Sequence, residues 1–318
     1  QFLQDAETCL KRIVDSTENI TAIVGVPHLN QGVLYNGAAV VSNKKLIAIT
    51  HKMHLPTYGV FDEDRYFRRG SGQIPLYVIN GVNVGVSICE DLWLEDGPPK
   101  IQAKAGADLI ININASPYHQ GKGKERQQLV QTRALKFGIA VAYVNMVGGQ
   151  DELVFDGQSL ISDAGGRLVA QAPQFDESIL MYNFTVNPGS HPVSSGVNLA
   201  TDNRQLPKTS RGICADHSVA PVSKYIVSEI EAPDSSNLWE SGITPSLEPF
   251  EEVYAALVLG TRDYVMKSGH EKVVVGVSGG IDSAVTLAIA VDALGNGNVS
   301  AFFMPSQFTS DLSHRDAL

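Results

Sequence analysis

Cysteine is scarce in this 318-residue chain: Cys9, Cys89 and Cys214 share no short metal-type spacing and give no disulfide framework. A reducing, cytoplasmic compartment is the simplest setting. Long apolar runs are absent as well, and none approaches the roughly 18 to 20 residues needed to cross a bilayer, so no membrane span is expected. Positive charge is in deficit, with 24 Lys and Arg against 34 Asp and Glu and a formal net charge of -10. That balance argues against a nucleic-acid or anionic-membrane partner, since such surfaces need clustered basic residues. Methionine does not open the chain. It starts at Gln1, so the native N-terminus and any targeting segment are expected to lie outside it.

What remains is an ordinary globular balance, 43% hydrophobic and 18% charged, in a chain long enough for two domains. Residues 2–15 place apolar groups at helical intervals and put Cys9 in a core helix; TAIVGVP at 21–27 then reads as a strand. Strands are expected at Gly37–Val41 and Leu46–Thr50, and at Leu76–Ile79 and Val82–Ile88 around the hairpin turn Asn80-Gly81. Helix-like QAKAGA at 102–107 precedes the strand DLIININAS, and KERQQLVQTRALKFG precedes the strand IAVAYVN. Two further strands flank the turn Asp163–Gly166, and ILMYNFTV at 179–186 closes the region. Hairpins mixed with strand-helix alternation predict an α+β sandwich with helices covering packed sheets. Pro, Ser, Asn and Asp crowd residues 187–247, which read as a connection carrying one short strand at Lys224–Val227. A helix at Glu248–Met266, a strand, a helix at 282–294 and a strand at 299–304 then begin a doubly wound α/β domain.

KVVVGVSGGIDSAV at 272–285 passes from a β-branched run through a Ser-Gly-Gly turn into helix-formers. Glycines there permit close backbone approach, and the first N–H groups of the helix attract phosphate. No lysine follows as a Walker loop requires, and the glycines at 276, 279 and 280 miss the G-x-G-x-x-G spacing. Ser278-Gly279-Gly280-Ile281-Asp282-Ser283 instead resembles the S-G-G-x-D-S loop of the ATP pyrophosphatases, enzymes that adenylate a carboxyl or carbonyl oxygen. The alternative is a glycine turn in which Asp282 or Ser283 merely caps a helix.

Cys89 closes the apolar strand VNVGVSI and precedes the polar Glu90-Asp91. It is either a buried structural thiol or a nucleophile presented to a pocket. Lys52 and Ser116 also stand where apolar strands give way to polar loops. Lys52, Cys89 and Ser116 at three strand ends resemble the carbon-nitrogen hydrolase (nitrilase) superfamily, with its Glu-Lys-Cys triad and αββα sandwich. A cationic lysine lowers a thiol pKa and stabilises a developing oxyanion.

More closely, K-x-x-L-P-x-Y-x-x-F-x-E-x-R-Y-F at 52–67 with C-E-D-x-W at 89–93 resembles the glutaminase domain of the glutamine-dependent NAD synthetase family. The resemblance implies Lys52 and Cys89 as catalytic residues and Tyr58, Ser116 and Lys122 as glutamine-binding residues. Tyr58 offers a phenol, Ser116 a hydroxyl and Lys122 a cation for a carboxylate. Glu63 is either a supporting carboxylate or a surface partner of Arg65. FFMPSQFTSDLSHRDAL at 302–318 resembles the family's loop beside the ATP site. The resemblance further implies ATP binding by Gly276, Val277, Ser278, Gly279, Gly280, Ile281, Asp282 and Ser283. It implies Mg2+ near Asp282, nicotinic acid adenine dinucleotide as the substrate amidated, and a homo-oligomer. The resulting division is a carbon-nitrogen hydrolase domain at 1–187, a connection at 188–247, and at 248–318 the start of an ATP-pyrophosphatase (adenine-nucleotide α-hydrolase-like) domain. By the same resemblance the triad glutamate precedes residue 1, the remainder of the second domain follows Leu318, and the chain alone is expected to be inactive. A stand-alone amidase and a noncatalytic remnant are the competing readings.

Overall fold

The computed structural model describes residues 1–72, 74–184, 222–228 and 241–317. Helix α1 (Phe2–Ser16) lays Leu10, Ile13 and Val14 against Val26, Ala39 and Val41. Cys9 lies off that stripe and is exposed, correcting its expected place in the core. Burial here follows the 3.6-residue period, and position 9 falls on the solvent side. Strands β1 (Thr21–Asn30), β2 (Val33–Ser42) and β3 (Lys45–His51) form an antiparallel sheet. Strands β4 (Leu76–Ile79) and β5 (Val82–Ile88) meet at Asn80-Gly81, whose φ values of 48° and 79° suit the tight hairpin turn read from the sequence.

Past β5 come α2 (Glu90–Trp93), α3 (Pro98–Lys104), β6 (Leu109–Asn114), α4 (Lys122–Phe137) and β7 (Ala140–Asn145). Pro98 starts α3 at its first turn, earlier than the expected helix at 102–107, and Gly138 (φ 67°) stops α4 in the left-handed conformation. Because helices link them, β5, β6 and β7 run parallel. A hairpin of β8 (Val147–Gln150) and β9 (Leu153–Asp156) follows, for which the sequence had raised no expectation. β10 (Leu160–Ser162) and β11 (Leu168–Gln171) flank the Asp163–Gly166 turn, and β12 (Lys224–Ile226) is the short strand expected in the connection. Most of the remaining connection, with Cys214, lies outside the described residues. Residues 179–184 form no strand, residues 185 and 186 lie outside the described residues, and Met181 joins Ser241 through both its O and its N.

The larger sheet has the order β11-β10-β7-β6-β5-β4-β12. One of its faces, through Tyr77, Val84, Val86 and Ile88, packs on Ala38 and Val40 of the three-stranded sheet. Its other face packs through Ile110, Val141 and Tyr143 on Leu92, Val130 and Ala134 of the helices. With α1 outside the smaller sheet, the layers run α-β-β-α, as expected. Apolar burial between the sheets drives this stacking.

Helix α5 (Pro249–Lys267) begins with Pro249 and a capping box between Glu248 and Glu251. Strands β13 (Val273–Val277) and β14 (Val299–Phe303) pair in parallel across α6 (Ile281–Leu294), and α7 (Asp311–Ala317) follows. This is the doubly wound beginning expected from the sequence. Although assigned to the second unit, α5 leans on the first: Ala256 and Leu259 pack on Phe175, beside Val147 and Val154. Asp263 Oδ2 accepts the Gly149 N–H at 2.7 Å, and Gln174 Nε2 donates to buried Glu252 at 2.9 Å. No described helix is long and apolar enough to cross a membrane.

Candidate active site

Cys89 sits at the C-terminal end of β5 with φ 44° and ψ −105°, a strained conformation for a residue with a side chain. Such strain at a strand end is a feature of functional sites. Its backbone N–H continues the ladder to Ile113 O at 3.0 Å before the chain turns sharply into α2. The side chain borders a cavity of about 380 Å³ that Tyr58, Phe61, Glu90, Trp93, Ser116, Tyr118 and Lys122 also line. Four of the five residues expected to act on glutamine therefore share one cavity. The fifth, Lys52, is 1% exposed and does not line it.

Lys52 leaves the end of β3 and donates from Nζ to Glu63 Oε1 at 2.6 Å. That bond decides between the alternatives for Glu63: it pairs with buried Lys52, while Arg65 faces Asp62 at 3.8 Å. The Cys89 thiol is pushed up to about 11, by burial above all and also by Glu63, Glu90 and Asp91, with Lys52 pulling against them. The protonated thiol is therefore favoured at neutral pH, and attack needs a base at the moment of reaction.

Around the cavity the polar groups separate by sign. Lys122 Nζ lies 4.2 Å from the centroid of the Trp93 ring and 2.9 Å from Glu125. Opposite in charge, Glu90 accepts a 2.9 Å bond from the Tyr58 hydroxyl; partial burial and that bond push the phenol up to about 12. A cation and an anion on one cavity suit a zwitterionic amino acid, one for each end of it. Sequence reasoning found Lys122 but not Glu90, which looked like the first polar residue after a strand.

Ser116 is held from behind. Arg126, fully buried on α4, donates to Ser116 Oγ at 3.2 Å, Ser116 O at 2.9 Å and Pro117 O at 3.0 Å, and to both oxygens of buried Asp156 at 2.6 and 2.8 Å. Asn145 Oδ1 accepts the Ser116 N–H at 2.9 Å. The serine hydroxyl accepts from Arg126 and keeps its own proton to donate. Only the fold reveals these supports, because Arg126 and Asp156 are 30 residues apart.

The second expected site is the turn between β13 and α6. Gly279 takes φ 78°, whereas Gly280 keeps φ −92° and caps the helix, so of the two it is Gly279 that uses glycine's left-handed freedom. Ser283 Oγ accepts the Ser278 N–H at 3.1 Å and donates to Gly280 O at 2.9 Å, closing the turn on itself. A Cβ on Gly279 would stand 2.5 Å from Ser313 O, so α7 lies against this turn. Asp282, in the first turn of α6, is exposed. Among the described residues no group of three or more His, Cys, Asp or Glu is disposed to hold a metal. One free carboxylate fits Mg2+ that arrives bound to phosphates, since such ions keep few protein ligands.

Residues 4–187 match the sequence profile of carbon-nitrogen hydrolases, and residues 253–318 match that of NAD synthase. The glutamine-dependent NAD(+) synthetase of Aquifex aeolicus is 42% identical over 319 residues, covering 99% of this chain and 53% of that protein. The Thermotoga maritima enzyme of the same name is 37% identical over 322 residues, covering 99% and 52%. Among solved structures, the glutamine-dependent NAD+ synthetase from Acinetobacter baumannii, in complex with ADP, superposes with a TM-score of 0.75 at 33% identity over 99% of this chain and 51% of that one. The chain spans about half the length of the curated relatives it matches.

Proposed function

The chain belongs to the carbon-nitrogen hydrolase family, and from that premise we propose that Cys89 is the nucleophile of a glutaminase whose ammonia amidates an adenylated nicotinic acid adenine dinucleotide. The observation that carries the proposal is the cavity at Cys89, with Lys122 and Glu90 on its wall and Lys52 behind it. Glutamine enters with its carboxylate toward Lys122 and its ammonium toward Glu90 and Tyr58, which brings the side-chain amide to the thiol. Sulfur attacks the amide carbon as the thiol proton is removed, and negative charge develops on the amide oxygen. Lys52 is the buried cation available to stabilise that charge. As the adduct collapses, the proton taken from the thiol is delivered to the nitrogen while the C–N bond breaks, releasing ammonia and leaving a thioester, which water hydrolyses to glutamate and the free thiol.

At the other site, the first N–H groups of α6 and the Ser278–Ser283 turn bind the phosphates of ATP. Asp282 would hold Mg2+, whose charge would ease the departure of pyrophosphate. We assign the glutaminase unit to residues 1–187, the connection to 188–247 and the ATP-binding unit to 248 onward, working in the cytosol as a homo-oligomer.

The competing reading is an amidase that works without ATP. Extended to the full length of its relatives, the protein should form NAD from glutamine only when ATP is present. Glutamine hydrolysis with no ATP-dependent NAD formation would overturn the proposal in favour of the amidase.

A further inference from the structure

Asp91 is 1% exposed and lies two residues past Cys89. Its Oδ1 accepts the His54 N–H at 2.9 Å and the Met53 N–H at 3.2 Å, and stands 3.0 Å from His54 Nδ1. Its Oδ2 faces the N–H groups of Ile88 and Met53, each at 3.4 Å. Met53 and His54 immediately follow Lys52, and Ile88 immediately precedes Cys89. One carboxylate therefore joins the end of β3 to the end of β5, across 37 residues of chain, at the two positions where the candidate catalytic side chains leave their strands. Lys52 is tied on its other sides as well, its N–H to Asn36 O and its O to Gly70 N, both at 2.8 Å. Cys89, by contrast, occupies a strained backbone conformation that its neighbours must maintain.

We propose that Asp91 is a positioning residue: by gathering the amides of Met53, His54 and Ile88 it keeps the Lys52 ammonium beside Cys89 and holds the strained turn at the thiol. The proposal rests on the reading of Cys89 as a nucleophile. It also accounts for a buried carboxylate placed where its own charge works against ionisation of that thiol. The groups acting on the thiol are Lys52, which favours the thiolate, and Glu63, Glu90 and Asp91, which oppose it. A carboxylate that acted only through its charge would make Cys89 less reactive, and removing it would speed the thiol. A carboxylate that acts by placing Lys52 has the opposite sign: removing it slows the thiol. The isosteric amide of Asp91→Asn turns one acceptor oxygen into a donor facing N–H groups, so the charge and the junction are lost together.

The test is alkylation of Cys89 by iodoacetamide, followed by peptide mass spectrometry from pH 6.5 to 10 in the 318-residue chain, for the unaltered protein, Asp91→Asn, Lys52→Met and the double variant. Asp91→Asn should slow Cys89 about tenfold at pH 8, equivalent to a shift of about one pH unit in its profile. In the Lys52→Met background the same substitution should leave the rate unchanged or raise it. Acceleration by Asp91→Asn in both backgrounds would overturn the proposal. If Asp91→Asn fails to fold by circular dichroism, amide exchange on the unaltered chain decides: Met53 and His54, which have no strand partner, should exchange at least 100-fold more slowly than free peptide. Exchange at the free-peptide rate would overturn the proposal. Failure of the ATP and glutamine assay in the longer protein would remove the substrate reading without altering the alkylation result, so the two readings fail separately.

Discussion

The two candidate sites are built in opposite ways. At Cys89, side chains from β5, α2 and the loops after β3 and β6 converge on one cavity, and buried partners hold them. At Ser278–Ser283 a single turn supplies its own backbone N–H groups and closes through hydroxyl bonds that span five residues at most. The first site is inside the fold and the second is exposed. A buried site can shift the chemistry of its groups, as it does the thiol of Cys89; an exposed turn can bind a charged ligand without reorganising a core.

The largest expected effect is at the buried site. Arg126→Leu leaves the Asp156 carboxylate buried without its cation and should cost about 3–5 kcal/mol of stability in urea unfolding. A loss below about 1 kcal/mol would show that Ser116 is not held in this way.

Next in size is the pH dependence of Cys89. Burial raises its pKa to about 11, so the thiolate fraction, and with it the alkylation rate, should rise about tenfold per pH unit from 7 to 9 and level off only near pH 11. By the same sign, a folded state that disfavours the thiolate loses stability as pH climbs from the ordinary thiol range toward 11. A plateau in alkylation near pH 8.5 would contradict the burial.

Gly279→Val acts at the exposed turn. A β-branched residue at φ 78° with its Cβ 2.5 Å from Ser313 O should cost about 1–3 kcal/mol locally. In the longer protein ATP-dependent synthesis should then fall with either nitrogen donor, while alkylation of Cys89 stays unchanged. A fall with glutamine alone would undo the separation of the sites. Smallest of all, Lys136→Ala removes an exposed pair with Glu95 and should leave thermal unfolding within error of the unaltered chain, since such pairs contribute little.

The same contrast explains what could be read without coordinates. The phosphate turn is contiguous, so its six residues were legible as a string. Lys52, Cys89 and Ser116 were legible for another reason: each ends an apolar strand, and the change from apolar to polar marks a strand end. Glu90, Asp91 and Arg126 carry no such mark. Each is an ordinary polar residue of a loop or helix until the sheets bring its partner near. Local period misled at Cys9, which shares a helix with Leu10 and Ile13 but not their face. Nor could helical period say which surface α5 would cover, because its docking on β8 and β9 depends on a glycine-rich hairpin that the sequence concealed.

Central to this account is that nitrogen is released at one site and used at the other, and a single substitution tests it. In the chain extended to the length of its relatives, Cys89→Ala should lose NAD formation from glutamine by at least about 10³-fold, the scale on which a lost nucleophile is felt. NAD formation from added ammonium at the same ATP concentration should stay within about twofold. Equal loss with both nitrogen donors would contradict the account, because Cys89 would then serve the synthesis itself rather than the supply of its ammonia.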